Sequence, residues 1–469
     1  MFAWTFLLAL SLCGPVEAQP LAVPMKSIHP RIAQALEQVS EERVAGIMKK
    51  LEGFGTRNLF SEPNHATRGK GAAYRWIESE FKSYSPRLEV RLERHMLKKS
   101  ARVWRDVELV NVVAVLPGRV NPEREVLISA HYDSLNRIMK PRAANARPDD
   151  PSEEDYEKTQ SVDAPGVNDD GSGTAAVMEL ARVLSAYEWD NTLVFIAFDG
   201  EEYGLLGARL HVEAAKKAGR KIEAVLNNDI IGSDVTGTGR SANRLVNVYS
   251  NDPNDSKSRQ LARYIRDVAQ RYVPGMEVNT VFRADRFGRG GDHTPFDAAG
   301  FAAVRFTTPA EDLPKEHTGN DTFANASPGY TTRVARVNLA AAASLALAPG
   351  TPLVARTSTS GSLKGRTVPM LTRGKSSHDA VLKWLAPRDE ADIAGYAVVM
   401  RSTTAPYWER EWYVGNVTEY TLKDMQIDDC VLGIKAIDKE GNESLVAAYA
   451  ITQRDSGPVE TIATPTPQK

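Results

Sequence analysis

At 469 residues the chain is longer than one hydrophobic core ordinarily organises, so two or three domains are expected. Lys and Arg number 58 against 60 Asp and Glu, a formal charge of -2. That balance supplies no electrostatic footprint for nucleic acid or an anionic membrane surface, and both are excluded as partners.

Residues 1–18, MFAWTFLLALSLCGPVEA, form a short apolar run closing on small residues around Val16 and Ala18, the pattern of a secretory signal peptide. Export to the periplasm or the exterior is expected. Cleavage after Ala18 removes Cys13 and leaves Cys430 as the sole cysteine, so stability rests on core packing and bound metal, not on an internal disulfide. The bulk of Leu12 disfavours a lipid anchor on Cys13. No later segment is long and apolar enough to span a bilayer.

Apolar residues at helical spacing (Ile32, Leu36, Val39, then Val44, Ile47, Met48, Leu51) and a second pattern over 72–81 predict covering helices. LVNVVAVLPG from Leu109, EVLISAHYDS from Glu125, NTLVFIAFDG from Asn191 and AVLNNDIIGS from Ala224 read as buried strands, with helical patterns such as GTAAVMELARVLSAY between them. This alternation predicts an α/β domain over 28–350 with a mostly parallel central sheet, whose ligands bind at the carboxyl ends of the strands.

The Pro-, Asp- and Glu-rich stretch 136–162 reads as a surface insertion beside one strand end. The Ala-rich stretch 337–348 reads as a packed helix. Composition then shifts to Thr, Ser, Gly, Pro and Arg, which predicts a linker over 351–377. Short alternating segments over 378–453, among them AVLKWLAP, AGYAVVMRS and CVLGIKAIDKEGNES, predict a small all-β sandwich of about seven strands. The order of Trp384, Gly395 and Tyr396, Tyr420 to Leu422, and AIDKEGNES resembles the fibronectin type III module, a candidate for polymer, cell-wall or protein contact. Residues 454–469, rich in Pro and Thr, are expected to be disordered.

Five clusters can carry chemistry. His131 and Asp133 stand two apart at a strand end and project from one face, so the imidazole can take a metal while the carboxylate holds its other nitrogen. Asp169 and Asp170 precede a Gly-Ser-Gly turn at a helix start, where acids also serve as caps. Glu201 and Glu202 follow the apolar run LVFIAF; neighbouring carboxylates pointing different ways allow one to hold metal and the other to move protons. Asp229 interrupts a strand-like run, an expensive place for an unpaired charge, and His317 lies in the loop PKEHTGNDT.

In that order HxD, NDDGSG, GEE, NDxIGS and EHTxxDT resemble the two-zinc exopeptidase family that includes secreted bacterial leucyl aminopeptidases, glutamate carboxypeptidase and glutaminyl cyclases. The resemblance covers the whole first domain and implies a three-layer fold, two Zn2+ per chain and peptide substrates. It implies His131 and Asp229 as ligands of one zinc, Glu202 and His317 as ligands of the other, and Asp169 as the bridging carboxylate. Asp133 becomes the partner of His131, and Glu201 the general base that takes the proton of a zinc-held water. The stretch GRGGDHTPF at Gly288 resembles the family's GRSDH segment and makes Arg289, Asp292 and His293 substrate-pocket candidates. Glu316 departs from the family, where a Tyr able to stabilise the oxyanion often precedes the last histidine; Asn228 stands where an apolar residue is common.

Nitrogen and oxygen ligands without thiolate suit Zn2+, and also admit Co2+ or Mn2+. The expected activity is that of an aminopeptidase. A carboxypeptidase, a one-zinc glutaminyl cyclase, or a non-catalytic surface scaffold are the alternatives, and the complete ligand set together with Glu201 favours hydrolysis.

Overall fold

The computed structural model describes residues 28–142, 153–358, 367–388 and 392–450. The expected signal peptide and the expected disordered tail lie outside these described residues. Among them no helix is long and apolar enough to cross a membrane.

In chain order the first domain comprises α1 (Pro30–Glu37), α2 (Glu41–Glu52), α3 (Gly69–Tyr84), β1 (Glu89–Leu97), β2 (Val107–Leu116), β3 (Asn121–His131), α4 (Tyr156–Thr159), α5 (Ser172–Leu184), β4 (Asn191–Phe198), α6 (Leu206–Lys217), β5 (Lys221–Asn228), β6 (Leu245–Ser250), α7 (Lys257–Tyr272), β7 (Glu277–Val281), α8 (His293–Ala298), β8 (Ala303–Thr307) and α9 (Pro328–Leu347). The strands form one 8-stranded sheet in the order β1-β2-β4-β3-β5-β8-β6-β7. Its centre, β4-β3-β5-β8, is parallel, as the buried apolar runs predict. The flanking β1-β2, β2-β4 and β8-β6 pairings are antiparallel, so the sheet is mixed.

Helices cover both faces. Ile47 of α2, Phe81 of α3, Leu180 of α5, Ile265 of α7 and Leu339 of α9 share one apolar core. Ala208 and Val212 of α6 and Phe296 of α8 build the core on the opposite face. The domain therefore has three layers. The run Ala340 to Ala343 of α9 is fully buried, its small side chains letting the helix lie close against its neighbours.

The second module comprises β9 (Leu353–Val354), β10 (Arg356–Ser358), β11 (Thr367–Pro369), β12 (Leu371–Thr372), β13 (Ala380–Leu385), β14 (Ile393–Ser402), β15 (Arg410–Gly415), β16 (Glu419–Leu422), β17 (Cys430–Asp438) and β18 (Ala447–Ala448). Antiparallel sheets β12-β13-β16 and β15-β14-β17-β18 share a core of Leu382, Trp384, Tyr396, Val398, Leu432 and Ile434. Of the stretch 351–377, expected as a linker, residues 359–366 lie outside the described residues. β9 and β12 within it pair with β13, through strands too short to show alternation.

The module is docked on α7 and β7. Arg401 Nη2 lies 2.7 Å from Asp255 Oδ1, and Arg263 Nε donates to the Pro406 carbonyl at 2.7 Å. Trp408 Nε1 donates to Gln260 Oε1, and the Tyr407 and Thr280 hydroxyls bond at 2.8 Å.

Candidate metal centre

The chemistry-bearing residues stand just past strand ends or in connecting loops. His131 ends β3, Asp169 and Asp170 precede α5, Glu201 and Glu202 follow β4, Asp229 follows β5, and His317 lies between β8 and α9. Two clusters form, His131–Asp170–Asp229 and Asp169–Glu202–His317, in each of which one potential ligand atom per residue lies within 4.8 Å of the others.

Asp169 joins them. Its Oδ1 lies 3.2 Å from His131 Nε2 and its Oδ2 3.2 Å from His317 Nε2. Glu202 Oε2 lies 2.9 Å from His317 Nε2, and Asp229 Oδ1 lies 3.7 Å from His131 Nε2. Asp170, although in the first cluster, is already engaged. Its Oδ2 accepts from the His131 amide, and its Oδ1 from those of Gly173 and Ile230. It ties three segments together, while Asp169 keeps its oxygens toward the two imidazoles. Gly173 must lack a side chain, because a Cβ would come within 2.5 Å of the Asn228 carbonyl.

Asp133 fixes the other side. Its Oδ1 lies 3.4 Å from His131 Nδ1, and its two oxygens accept from the amides of Glu201 and Glu202 at 3.2 and 3.3 Å. One carboxylate thus orients the imidazole and sets the backbone on which both glutamates stand. Beneath them Asp199, at the end of β4, is buried with Lys70 Nζ at 3.1 Å and the Val110 amide at 2.9 Å on the same oxygen.

Three supporting residues escape sequence reasoning. Asp321 accepts from the amides of Asn168 and Asp169 at 2.8 and 2.9 Å, holding the backbone of the bridging position. Arg57, fully buried, donates to the carbonyls of Leu51, Tyr132, Pro165 and Gly166 and clamps the segments around Asp133 and Asp169. Arg305 of β8 places Nη2 2.9 Å from Asp229 Oδ1. A signal existed for Asp321, inside the DT of the last motif, and for Arg305, a charge within the apolar strand AVRFT. For Arg57 there was none.

Backbone strain marks the same places. Ile230 has φ 61° and His317 has φ 52°, a region that β-branched and bulky residues rarely adopt. Ile230 is held there by its amide bond to Asp170 and by its carbonyl, which accepts from Thr307 and Thr308. Such residues persist where the surroundings over-determine them, commonly at functional sites.

The pocket candidates divide. Asp292 is fully buried with both carboxylate oxygens unpartnered, whereas His293 turns away, donating through Nε2 to the Ala284 carbonyl at 2.8 Å. Arg289 bridges Glu311 and Glu316 at 3.2 and 3.1 Å.

Electrostatically the cluster carries surplus negative charge. Burial, reinforced by Asp229, Asp292 and Glu202, holds the Glu201 carboxyl well above its ordinary range. Burial pushes Asp292 up to about 8 and, with Asp169 and Glu311, Glu316 up to about 7. Glu202 raises His317 to about 11 despite desolvation. Burial also works against a charged His131, yet Glu201, Asp133, Asp169 and Asp229 hold it well above the usual imidazole value. Crowded, buried acids with two imidazoles among them call for compensating positive charge. Buried His131 Nε2 and Glu202 Oε1 have no hydrogen-bond partner. This nitrogen and oxygen donor set fits divalent metal.

The profile of peptidase family M28 matches residues 111–342. A probable zinc metalloprotease of Leptosphaeria maculans is 34% identical over 438 residues, covering 87% of this chain and 94% of that protein. One from Pyricularia oryzae is 36% identical over 450 residues, covering 87% and 82%. Among solved structures, LapB of Legionella pneumophila matches with TM-score 0.51 and 20% identity over 69% of this chain and 77% of that one. The LapA aminopeptidase of the same organism matches with TM-score 0.50 and 18% identity, over 72% and 80%. These two likenesses show the shared fold.

Proposed function

The chain belongs to peptidase family M28, and from that premise we propose that it is a zinc metalloprotease acting as an aminopeptidase, freeing single residues from peptide N-termini. The observation that carries the reading is Asp169, whose two carboxylate oxygens face His131 and His317 at 3.2 Å each. In this reading His131, Asp169 and Asp229 would hold one Zn2+, and Glu202, His317 and Asp169 would hold the other. Bound zinc supplies Lewis acidity to a carbonyl oxygen and lowers the pKa of water.

The chain's own residues do the rest. His131 Nδ1–H donates to the Asp133 backbone carbonyl at 3.2 Å, with Asp133 Oδ1 at 3.4 Å, which leaves Nε2 free to ligate. Glu201, on the backbone that Asp133 holds, takes the proton of the attacking water and passes it to the leaving amine, a contribution of about 10² to 10⁴ in rate. We also assign residues 1–18 as an export signal, so the substrates are extracytoplasmic peptides.

The test is metal content together with hydrolysis of aminoacyl anilides and N-blocked peptides, for the wild type and Glu201→Gln. Close to two zinc per chain, cleavage of free-amine substrates only, and retained zinc with lost turnover in the variant are expected. One zinc with pyroglutamate formation would move the reading to the cyclase branch. No bound zinc and no turnover would leave a scaffold.

A further inference from the structure

Glu316 immediately precedes His317, and its side chain is 7% exposed. Its Oε2 is held 3.1 Å from Arg289 Nη2, whereas Oε1 is buried without a hydrogen-bond partner. Arg289 is itself fixed, its Nη1 3.2 Å from Glu311 Oε2; the other oxygen of Glu311 lies 3.1 Å from Arg286 Nη1, and Arg286 Nε lies 3.1 Å from Asp285 Oδ1. A relay of ion pairs therefore pins one oxygen of Glu316 and leaves the second aimed at nothing. Buried carboxylate oxygens without a donor are rare and call for one.

The missing donor can be specified. A carboxylate accepts only, so the occupant brings N–H or O–H groups, and a cation serves best beside the further negative charge of Asp169, which acts on Glu316. Both terminal nitrogens of Arg289 are engaged by Glu311 and Glu316, which leaves it poorly placed to attract a substrate carboxylate. In a peptide, N–Cα and Cα–C bonds of about 1.5 Å put the α-nitrogen about 2.5 Å from the carbonyl carbon of the same residue. Glu316 is the chain neighbour of His317 and feels the charge of Asp169, so a carbonyl bound over the Asp169–His317 pair, which are 3.2 Å apart, would bring its α-nitrogen to the side of the cluster on which Glu316 stands.

We propose that Glu316 Oε1 receives the free α-ammonium group of the peptide substrate, making Glu316 the residue that selects unblocked N-termini. The inference rests on the aminopeptidase reading and deepens it. Glu316 fills by a different chemistry the position at which relatives often carry Tyr. An N-acylated substrate loses the charge and most of the donors at that nitrogen, and gains bulk against a pinned side chain.

The experiment measures kcat and KM of the zinc-loaded full chain on a leucyl anilide and its N-acetyl counterpart, for wild type, E316Q and E316D, with zinc content alongside. Loss of one charge-assisted hydrogen bond predicts that E316Q loses about 10- to 100-fold in kcat/KM on the free amine, mostly through KM, with zinc retained. Competitive inhibition by the acetylated substrate is unchanged, so the preference in binding for the free amine narrows by the same factor. Equal losses on both substrates, or a preference that survives in E316Q, would overturn the proposal while leaving the aminopeptidase reading standing. A wild type without free-amine preference would sink both. If E316Q does not fold, E316D decides. It keeps the charge but withdraws it by one methylene, and an unchanged KM for the free amine would overturn the assignment.

Discussion

Asp321 touches no potential ligand side chain, yet it sets the backbone of the residue that joins the two clusters, and Asp321→Asn isolates that function. The wild-type carboxylate, 4% exposed, accepts from the Asn168 and Asp169 amides at 2.8 and 2.9 Å. Asparagine keeps the shape and one acceptor, but turns an NH2 group against the other amide. One hydrogen bond to a charged group disappears, about 1.5 to 3 kcal/mol, and one buried donor is left unpaired. Part of this appears as lower stability with or without metal; the remainder lets the Asp169 carboxylate drift from its position between the imidazoles. Zinc affinity is expected to fall by about 10- to 100-fold, the range typical for partners that orient metal ligands. The assay is competition with a chromophoric zinc chelator, with melting in excess chelator reporting the metal-free fold. An Asp321→Asn protein whose zinc affinity stays within about threefold of wild type would refute the claim that Asp321 holds Asp169 in place.

Further outcomes follow from the same geometry. Removing metal with a chelator should lower the melting temperature, since an ion present at about 1,000 times its dissociation constant adds about 4 kcal/mol to the folded state; an unchanged melting curve would count against a bound ion at the His131–Asp169–His317 cluster. Lys70→Met strands the Asp199 carboxylate in the interior and should destabilise by about 3 to 5 kcal/mol, with part of the loss regained by adding Asp199→Asn; denaturant unfolding of the single and double variants checks this. Trp408→Ala removes an indole that bonds Gln260 and lies 6.0 and 5.7 Å from the guanidinium groups of Arg263 and Arg401. About 1 to 2 kcal/mol of destabilisation is expected for this half-buried indole, read as earlier melting and faster proteolysis between the two modules.

The centre of the fold was legible because β2 to β5 are continuous apolar runs, the signature of strands buried on both faces. The remaining strands gave weaker signals. β1 alternates charge with partial burial at a sheet edge, and β8 interrupts its apolar pattern with Arg305. The ligand candidates could be ordered from motifs, since each follows a strand or opens a helix. Their support was a different matter. Arg57 acts through backbone carbonyls from three separate segments, contacts that leave no periodicity or spacing to read, and Asp321, although it stands inside the last motif, acts through two amides far away in sequence. The two-residue strands β9 and β12 in the second module pair with β13 and are too short for any spacing pattern to reveal them.

The second module contacts the start of the loop that follows β7. Phe282, directly after β7, has its ring 5.2 and 4.9 Å from the guanidinium groups of Arg259 and Arg263, and its carbonyl accepts from Arg259 at 2.9 Å. Arg263 simultaneously donates to the Pro406 carbonyl, and Thr280, two residues before Phe282, bonds Tyr407. The loop that begins there carries Asp285, Arg286, Arg289 and Asp292, and its far side is held by Arg305, which donates to the Gly290 carbonyl at 3.0 Å. Arg305 also lies against Asp229. The loop bearing the Arg289–Glu316 relay is thus fixed at one end by residues in contact with the second module and at the other by a residue in contact with the metal cluster. The candidate ligands themselves stand on the first domain alone. Arg305 therefore joins the loop that carries Arg289 to Asp229, while Thr280 and Arg263 join its start to Tyr407 and Pro406.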